Sequence, residues 1–376
     1  MRPRKYPKVA EALGELISSG SLAPGDQLPS QHEIAARYGI SRSCAQRALN
    51  LLADRGLVEK RPGRGVFVRN PAARKDLRGA LGFLVPATKR TRPDPRDNLE
   101  YETLLGIEEA VREKAQRFVL RRHPLDSTFD DLGAIVHGLE TDGLVINRDF
   151  PDDCIRLLTP LGLPIVVAGR TCHVPGVGSA APNFYDGYHQ LCAALVADGV
   201  RHIGLLYPSA HPYAMELVSS IDGIQRMNPG TRIEALDYFP GPDPFDGTRG
   251  EQLTKALTNK LIDEDALPEV LVGLSDWTVF RALEVLHERG VPVPGRVGLI
   301  GCFGLALCEQ VTPQLSTLAV DCIEMGRQAV AVLADMIAGG PSQCRVARIP
   351  LKFVERESFR WRHGDPAQAA PAAPSA

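Results

Sequence analysis

The predicted helix that begins at Ser41 carries a row of polar side chains suited to hydrogen bonding with another molecule. Its polar face presents Ser43, Gln46, Arg47 and Asn50, with Arg42 in the first turn. Amide and hydroxyl groups exchange hydrogen bonds with base edges, and arginine binds both guanine and phosphate. A solvated helix face has a similar composition, so the neighbouring elements must decide between these two interpretations.

Two further helices precede this one. Tyr6 to Ser19 has an apolar stripe at helical spacing, and Gln31 to Tyr38 follows Ser30, which can form a capping box with Glu33. The third helix is predicted from Ser41 to about Asp54. Its buried stripe consists of Ala45, Ala48, Leu49 and Leu52. A short helix, a tight turn and a helix with an exposed polar face predict a helix-turn-helix.

A hairpin follows the third helix. Leu57 to Lys60 and Gly65 to Val68 are predicted as short strands, joined by the turn Arg61-Pro62-Gly63-Arg64. Two arginines beside a glycine at such a tip can lie in a minor groove or against the phosphate backbone. The hairpin therefore extends the predicted contact surface beyond the third helix.

The charge of the chain is unevenly distributed. Residues 1–78 contain 15 Lys and Arg against 7 Asp and Glu, a net charge of +8, although the whole chain has a net charge of −2. The rest of the chain therefore carries −10. A basic head on an acidic body is expected of a protein that meets phosphates at one end only.

The head resembles the GntR-type winged helix over nearly its whole length. The stretches that carry the resemblance are Ser21 to Ser30, Ile40 to Arg42, Ala48 to Leu57 and Arg61 to Val68. The resemblance implies that DNA is contacted from the start of helix two, the first turns of helix three and the wing tip. By position these roles fall on His32, Arg42, Gln46, Arg47, Arg64 and Gly65.

The complete predicted DNA-binding set also includes polar residues of the helix caps, of the outward face of the third helix and of the hairpin tip. It comprises Ser30, His32, Ser41, Arg42, Ser43, Gln46, Arg47, Arg61, Arg64 and Gly65. The family often has an acidic residue or arginine at position 32. His32 departs from that pattern, so we expect it to touch phosphate or solvent.

Behind the head, apolar runs of strand length alternate with helical patterns. The runs are Ala80 to Val85, Phe118 to Leu120, Gly143 to Ile146, Pro164 to Ala168, His202 to Tyr207, Val270 to Gly273 and Val297 to Gly301. Mostly apolar strands that alternate with helices predict an α/β fold with parallel sheets covered on both faces. Ligands of such sheets bind at the carboxyl ends of the strands.

This body resembles the LacI-type effector domain, which is similar to periplasmic sugar-binding proteins. Matching stretches, in the expected order, include Leu81 to Pro86, Thr141 to Asn147, Leu163 to Arg170, Gly199 to Gly204, Glu288 to Pro294 and Thr312 to Leu318. The resemblance implies a two-lobed domain whose ligand binds between the lobes. The predicted fold is thus an N-terminal winged helix-turn-helix with a two-lobed, periplasmic-binding-protein-like α/β domain.

These resemblances predict domain boundaries. We expect the winged helix at 1–69, a linker at 70–78, the effector domain at 79–360 and a disordered tail at 361–376. Lobe 1 is expected at about 79–182 and 313–343, and lobe 2 at about 183–312 and 346–360.

The same resemblance implies a set of ligand-binding residues. These are Tyr101, Asn147, Arg148, Arg170, Asn183 and Asp276, and the aromatic residues Phe184, Trp277 and Phe303, which can stack on an apolar ring face. Asp276 is expected to accept hydrogen bonds from ligand hydroxyls. The usual Asp-Asn is replaced by Asn183-Phe184 and an expected arginine by Ser220. The standard sugar clamp is therefore incomplete, and a saccharide is one of several possible effectors.

The sequence predicts a transcription regulator of the cytoplasm. We expect a repressor that acts as a homodimer on a pseudo-palindromic operator and is controlled by a small molecule. No membrane contact, cofactor or metal is expected, since the eight cysteines lack zinc-finger spacing. Two alternatives stay open: a DNA-binding protein with a degenerate sensor domain, or a winged helix fused to an enzyme. The second lacks a convincing cofactor lysine, because lysine is sparse after residue 114.

Overall fold

The computed structural model describes thirteen stretches of the chain. They are residues 5–18, 21–23, 25–54, 57–68, 79–86, 98–114, 116–123, 140–159, 162–209, 222–226, 228–238, 247–339 and 346–363. The predicted linker at 70–78 and the last thirteen residues of the predicted tail lie outside the described residues.

The N-terminal head is a winged helix. Its elements are α1 (Lys5–Ser18), α2 (Gln31–Tyr38), α3 (Arg42–Asp54), β1 (Val58–Arg61) and β2 (Gly65–Val68). The two strands pair antiparallel, and Gln27 adds an isolated bridge to Phe67. The predicted order of three helices and a hairpin is confirmed.

A small apolar core holds the three helices together. Leu13 of α1, Ile34 of α2 and Leu49 of α3 are buried in one cluster with Leu57 and Val68 next to the wing. Burial of each such side chain is worth roughly 1.5–3 kcal/mol. Because one side of α3 is committed to this core, its polar face is turned outward.

The chain divides into two compact units. The first comprises Met1–Thr91, Thr103–Ala181 and Ile323–Ala347. The second comprises Arg92–Glu102, Pro182–Cys322 and Arg348–Ala376.

A six-stranded sheet lies mainly in the first unit, in the order β13-β7-β6-β5-β3-β4. Its strands are β3 (Ala80–Pro86), β4 (Arg117–His123), β5 (Gly143–Asn147), β6 (Ile165–Ala168), β7 (Gly178–Pro182) and β13 (Val346–Ile349). Strands β4, β3, β5, β6 and β7 pair parallel. The accompanying helices are α4 (Leu99–Glu113), α5 (Asp152–Leu158) and α10 (Cys322–Gly339).

Helices α4 and α10 approach each other closely at two glycines. A Cβ on Gly106 would overlap the backbone carbonyl of Ile323, and one on Gly326 would overlap the carbonyl of Thr103. Backbone atoms cannot move aside as a flexible side chain can. The crossing therefore requires glycine at both positions.

The second unit contains another six-stranded sheet, in the order β14-β12-β11-β10-β8-β9. Its strands are β8 (His202–Tyr207), β9 (Arg232–Asp237), β10 (Val270–Gly273), β11 (Gly298–Phe303), β12 (Ser316–Val320) and β14 (Leu351–Val354). All of these pair parallel except β14, which runs antiparallel to β12. The helices are α6 (Phe184–Ala197), α7 (Gly247–Asp263), α8 (Asp276–Glu288) and the short α9 (Leu307–Gln310).

Both faces of this second sheet are covered. Val270 and Val272 of β10 pack in one apolar cluster, whereas Leu271 between them packs in another. Successive residues of a strand point to opposite faces, so the two clusters lie on opposite sides of the sheet. The predicted α/β fold with parallel, doubly covered strands is confirmed.

Two predicted boundaries are wrong. The segment from 313 to 322 was assigned to lobe 1, but β12 pairs parallel with β11 inside the sheet of the second unit. The tail was predicted to begin at 361, but Trp361 packs edge-on against Phe359 at 4.9 Å between ring centroids. The backbone N–H of Arg362 donates to Asp198 at 2.7 Å. The ordered domain therefore extends to residue 363 at least.

Candidate functional site

The start of α3 is fixed by two serines. The backbone N–H of Cys44 lies 3.2 Å from the Ser41 hydroxyl, and the hydroxyls of Ser41 and Ser43 are 3.0 Å apart. Ser41 thus caps the helix as predicted, while Arg42, Ser43 and Arg47 are exposed. Three predicted DNA-binding side chains are thus presented on the exposed face of one helix.

Ser30 has a structural part in the capping box of α2. Its hydroxyl accepts from the Glu33 N–H at 3.3 Å, and the Glu33 carboxylate accepts from the Ser30 N–H at 2.7 Å. The backbone and side-chain hydrogen bonds from Ser30 lower the pKa of Glu33 below its usual value. The box fixes the first turn of α2, on which His32 lies.

His32 and Arg42 are brought together from two helices. A guanidinium nitrogen of Arg42 lies 3.0 Å from His32 Nδ1. Because guanidinium nitrogens only donate, Nδ1 accepts and the imidazole proton is on Nε2. His32 therefore orients Arg42 and keeps its own Nε2–H available as a donor.

Gln46 lies in a chain of polar contacts that the sequence did not reveal. It contacts Gln31 of α2 on one side and Asn50 on the other, and Lys60 of β1 contacts Asn50. Gln31 and Lys60 were absent from the predicted set. Gln31 directly follows the capping serine, and Lys60 lies near the end of a predicted strand. Neither residue therefore stood out from a helical pattern in the sequence.

The two arginines of the wing differ in their surroundings. Arg61 lies 4.5 Å from the centre of the Phe67 ring and donates to Glu59 at 2.7 Å. Arg64 is exposed at the turn, and its carbonyl accepts from Gln27 Nε2 at 3.0 Å. Gly65 has a φ of 110°, and a Cβ there would lie 2.6 Å from Gln27 Nε2, so only glycine fits. Gln27 thus holds the wing tip.

These elements surround a shallow cavity of about 380 Å³ in the head. It is lined by Gln27, Leu28, Pro29, Ser30, Gln31, His32, Arg42, Leu49, Gly65 and Val66. Four residues of the predicted DNA-binding set, Ser30, His32, Arg42 and Gly65, thus border one cavity together with apolar residues of the head.

In the first unit, Arg170 is engaged by the protein itself. This guanidinium is buried and donates to the carbonyls of Arg148 at 2.9 Å and Phe150 at 2.7 Å. It also pairs with Asp152 at 2.6 Å. Burial raises the pKa of Asp152, but the hydrogen bond and charge of Arg170 outweigh it and lower the pKa. Arg170 therefore holds the loops after β5 and β6 together.

Asn147 and Arg148 lie beside this network. The Asn147 side chain is buried, and its oxygen accepts from the Asp149 N–H at 2.9 Å. Arg148 is half-buried, with its Nε 3.6 Å from Asp149. The structure thus groups three of the predicted ligand residues at the carboxyl ends of β5 and β6.

Asp276 is fully buried in the second unit. One carboxylate oxygen accepts from the Leu305 N–H at 2.8 Å and the other from the Thr317 hydroxyl at 2.7 Å. Burial raises the pKa of Asp276 to about 6. One oxygen thus binds the protein's own loop after β11 and the other binds strand β12, which is a different role from the predicted acceptance of ligand hydroxyls.

The loop that Asp276 holds has a strained start. Phe303 has a φ of 99°, a conformation that costs of order 1–3 kcal/mol in a residue with a side chain. Its ring lies edge-on to Phe184, with centroids 5.7 Å apart. Phe184 is itself fully buried and belongs to the core rather than to an open surface.

The remaining predicted ligand residues are more accessible. Trp277 is half-buried, with its ring centroid 6.0 Å from that of Phe280. Tyr101 is 67% exposed. Asn183 caps α6, with its amide nitrogen 2.6 Å from Asp186. Among the described residues, no cluster of acidic, histidine or cysteine side chains could hold a metal ion, and no helix there could span a membrane.

Comparison with known proteins shows which families the two parts of the chain resemble. A sequence profile described as "Bacterial regulatory proteins, gntR family" matches residues 5–68, and one described as "Periplasmic binding protein-like domain" matches residues 192–359. The chain is 31% identical to the HTH-type transcriptional regulator AscG of Escherichia coli over 326 residues, covering 82% of this chain and 92% of that protein. It is 23% identical to the arabinose metabolism transcriptional repressor of Geobacillus stearothermophilus, covering 90% and 93%.

Solved structures share the fold. The transcriptional regulator CelR in complex with cellobiose superposes with a TM-score of 0.61 at 20% identity, covering 88% of this chain and all of that one. A LacI family regulator from Enterococcus faecium with bound ribose gives a TM-score of 0.56 at 20% identity, covering 75% and 99%.

The winged-helix head and the α/β fold behind it together define a DNA-binding transcription regulator. The chain belongs to the family of HTH-type transcriptional regulators, and it combines a gntR-family DNA-binding domain with a periplasmic binding protein-like domain. The sequence-based assignment of family and function is confirmed.

Proposed function

We propose that this regulator is a repressor that binds an operator through α2, α3 and the wing, and that a saccharide controls its affinity. The observation that carries the proposal is the set of exposed polar side chains on α2, α3 and the wing, with Arg42 oriented by His32. A protein that is 23% identical over most of its length is named as a repressor of arabinose metabolism. A structure of the same fold binds cellobiose.

The proposed DNA contacts follow from exposure. Arg42, Ser43 and Arg47 are exposed on α3 and Gln46 is half-buried beside them, and these side chains reach base edges when the helix lies in a major groove. Arg64 at the wing tip contacts phosphate or the minor groove, and His32 donates its Nε2–H to phosphate. Ser30, Ser41 and Gly65 shape the backbone that presents these groups.

The ligand is proposed to bind the periplasmic binding protein-like part through aromatic surface. Trp277 and Phe303 are partly exposed and can cover the apolar face of a sugar ring. Tyr101, Arg148 and Asn183 offer polar groups. Asp276 and Arg170 act indirectly, because their own polar atoms shape the loops beside those residues.

We further propose that two chains pair and bind a pseudo-palindromic operator in the cytoplasm. Twofold symmetry of the protein would match twofold symmetry of the DNA. A ligand that changes the spacing of two heads removes the gain in affinity from the second head. Release of the operator on sugar binding follows from this arrangement.

A second candidate function is a regulator without a ligand. The engagement of Asp276 and Arg170 by the protein favours it, since two polar groups assigned to the ligand already have partners. Thermal unfolding with a panel of mono- and disaccharides separates the candidates. A ligand at 100 times its Kd stabilises the folded protein by about 2.7 kcal/mol. A stabilising sugar that also weakens operator binding supports the first function, and no stabilisation by any sugar supports the second.

A further inference from the structure

Four polar side chains from three elements of the head form one chain of hydrogen bonds across α3. Gln31 of α2 contacts the Gln46 side-chain oxygen, and Gln46 Nε2 lies 2.7 Å from Asn50 Oδ1. Lys60 Nζ of β1 lies 2.6 Å from the same Asn50 oxygen. The chain thus links the start of α2, the exposed side of α3 and the wing.

Only one direction of this chain satisfies every member. A lysine ammonium has three donors and no acceptor, so the Asn50 atom that faces Lys60 must be the carbonyl oxygen. A second group that approaches this oxygen must also be a donor. Gln46 therefore turns its Nε2 toward Asn50 and its Oε1 toward Gln31. An amide group fits a site in either of two orientations, and here the charge of Lys60 selects one.

The selected orientation leaves a defined pair of groups on Gln46. Each amide nitrogen has two donors and each oxygen two lone pairs, and the chain uses one of each. When the N–H trans to Oε1 is the one that donates to Asn50, the remaining N–H and the second lone pair of Oε1 lie side by side. They match the major-groove edge of adenine, which presents the acceptor N7 beside the donor N6, whereas guanine presents two acceptors.

We propose that Gln46 reads an adenine in the operator and that Lys60 is a positioning residue that fixes the amide for this base. The proposal rests on the proposed function, because α3 must enter a major groove. Gln46 is half-buried, which limits its movement, and Lys60 is exposed on the wing strand. The preference for one base in the operator is thus set partly by Lys60, which lies on a different element from Gln46.

A phosphate contact is the rival role for Lys60, because any cation near DNA strengthens binding. The two roles differ in what they change. A phosphate contact contributes equally to all sequences. A positioning residue changes the preference for one base pair and leaves the rest of the motif intact.

The test is selection from a randomised duplex library by the full-length chain and four variants. These are Gln46→Ala, Lys60→Met, Lys60→Arg and Lys8→Met, the last being a control that removes one exposed charge from α1 of the same head. We expect the wild type to select an A·T pair at one position of each half-site. Gln46→Ala should lose that preference alone, a loss of about five-fold or more in discrimination.

Lys60→Met should weaken the same preference, while Lys60→Arg and Lys8→Met should retain it. An unchanged motif for Gln46→Ala would overturn the adenine assignment. A uniform loss of affinity with an unchanged motif for Lys60→Met would overturn the positioning role and assign Lys60 to phosphate. Both outcomes differ from failure of the proposed function, in which the wild type selects no motif.

Discussion

The guanidinium of Arg42 lies 3.0 Å from Nδ1 of His32, and this contact joins the first turn of α3 to the first turn of α2. An exposed arginine normally samples many rotamers, so a hydrogen bond that restricts it lowers the entropy lost on binding. The substitution of histidine at a position that is often acidic or arginine in the family thus has a structural consequence. Under the proposed function, His32 presents Arg42 to DNA in a restricted conformation.

Arg42→Ala should weaken binding to the operator roughly 10-fold or more if Arg42 reads a base. Fluorescence anisotropy with the operator and with a scrambled duplex measures this. Preferential loss on the operator indicates a base contact, and equal loss on both duplexes indicates a phosphate contact. Lys8→Ala is the control for removal of one charge.

His32→Ala should weaken operator binding less than Arg42→Ala, because His32 acts partly through Arg42. In the Arg42→Ala background, His32→Ala should have a smaller effect than in the wild type. The same anisotropy titrations on both single variants and the double variant give the coupling. Strictly additive effects would show that the two residues act independently.

Arg64→Ala should reduce the salt dependence of DNA binding. Each phosphate contact contributes about 0.9 to the slope of log K against log salt concentration, so the slope should fall by about 1. Arg61→Ala is the matched control from the same tip. Its guanidinium lies against Phe67 and Glu59, so its loss should change the slope less. An equal change for both arginines would contradict this distinction.

The head could be predicted in detail because its signals are local. Ser30 and Glu33 are three residues apart, and the stripe of α3 repeats within four residues. The contacts that orient Gln46 and Arg42 were not predicted, since they join residues 10 to 15 positions apart on different elements. Local patterns reveal helices and caps but not which side chains meet across them.

Asp276 should make the stability of the second unit depend on pH. Its pKa is about 6 when folded and its usual value is 3.8. A raised pKa in the folded state contributes stability that is present below about pH 4 and is lost as the pH rises through 6. The loss is on the order of 3 kcal/mol. Asp276→Asn cannot ionise, so the stability of this variant relative to that of the wild type should be higher at pH 7 than at pH 4.5.

Urea unfolding followed by tryptophan fluorescence measures this effect selectively. Trp277 and Trp361 are the two tryptophans of the sequence, and both lie in the second unit. Asp153→Asn, an exposed aspartate of α5, is the control. Parallel pH profiles for the wild type and Asp276→Asn would show that folding does not raise the pKa of Asp276 into this range.

The roles of the residues assigned to the ligand were harder to predict than the structure of the head. Asp276 follows a strand in the expected position, but its partners Leu305 and Thr317 are 29 and 41 residues away. The burial of Asp276 could therefore not be predicted from the residues that neighbour it in the sequence. Strand β7 was also missed, because Gly178-Ser-Ala-Ala-Pro182 lacks the branched and aromatic residues typical of strands. Small residues fit there, since a Cβ on Gly178 would lie 2.8 Å from the Met336 sulfur.

Gly106→Ala should destabilise the first unit, because the new methyl group would meet the Ile323 carbonyl of α10. Overpacking of this kind typically costs about 1–3 kcal/mol. Gly223→Ala is the control, since a Cβ there has open space around it. Thermal melting followed by circular dichroism should show a lower Tm for Gly106→Ala only. Equal melting of both variants would mean that the helices can separate at no cost.

The proposed function requires that the outward face of α3, supported by α2 and the wing, recognises a particular DNA sequence. Its most direct test is selection of duplexes from a random library by the purified full-length protein at moderate salt, with and without sugars. We expect enrichment of one motif with twofold symmetry, which Arg42→Ala abolishes or degrades. Recovery of unrelated sequences under every condition would contradict it.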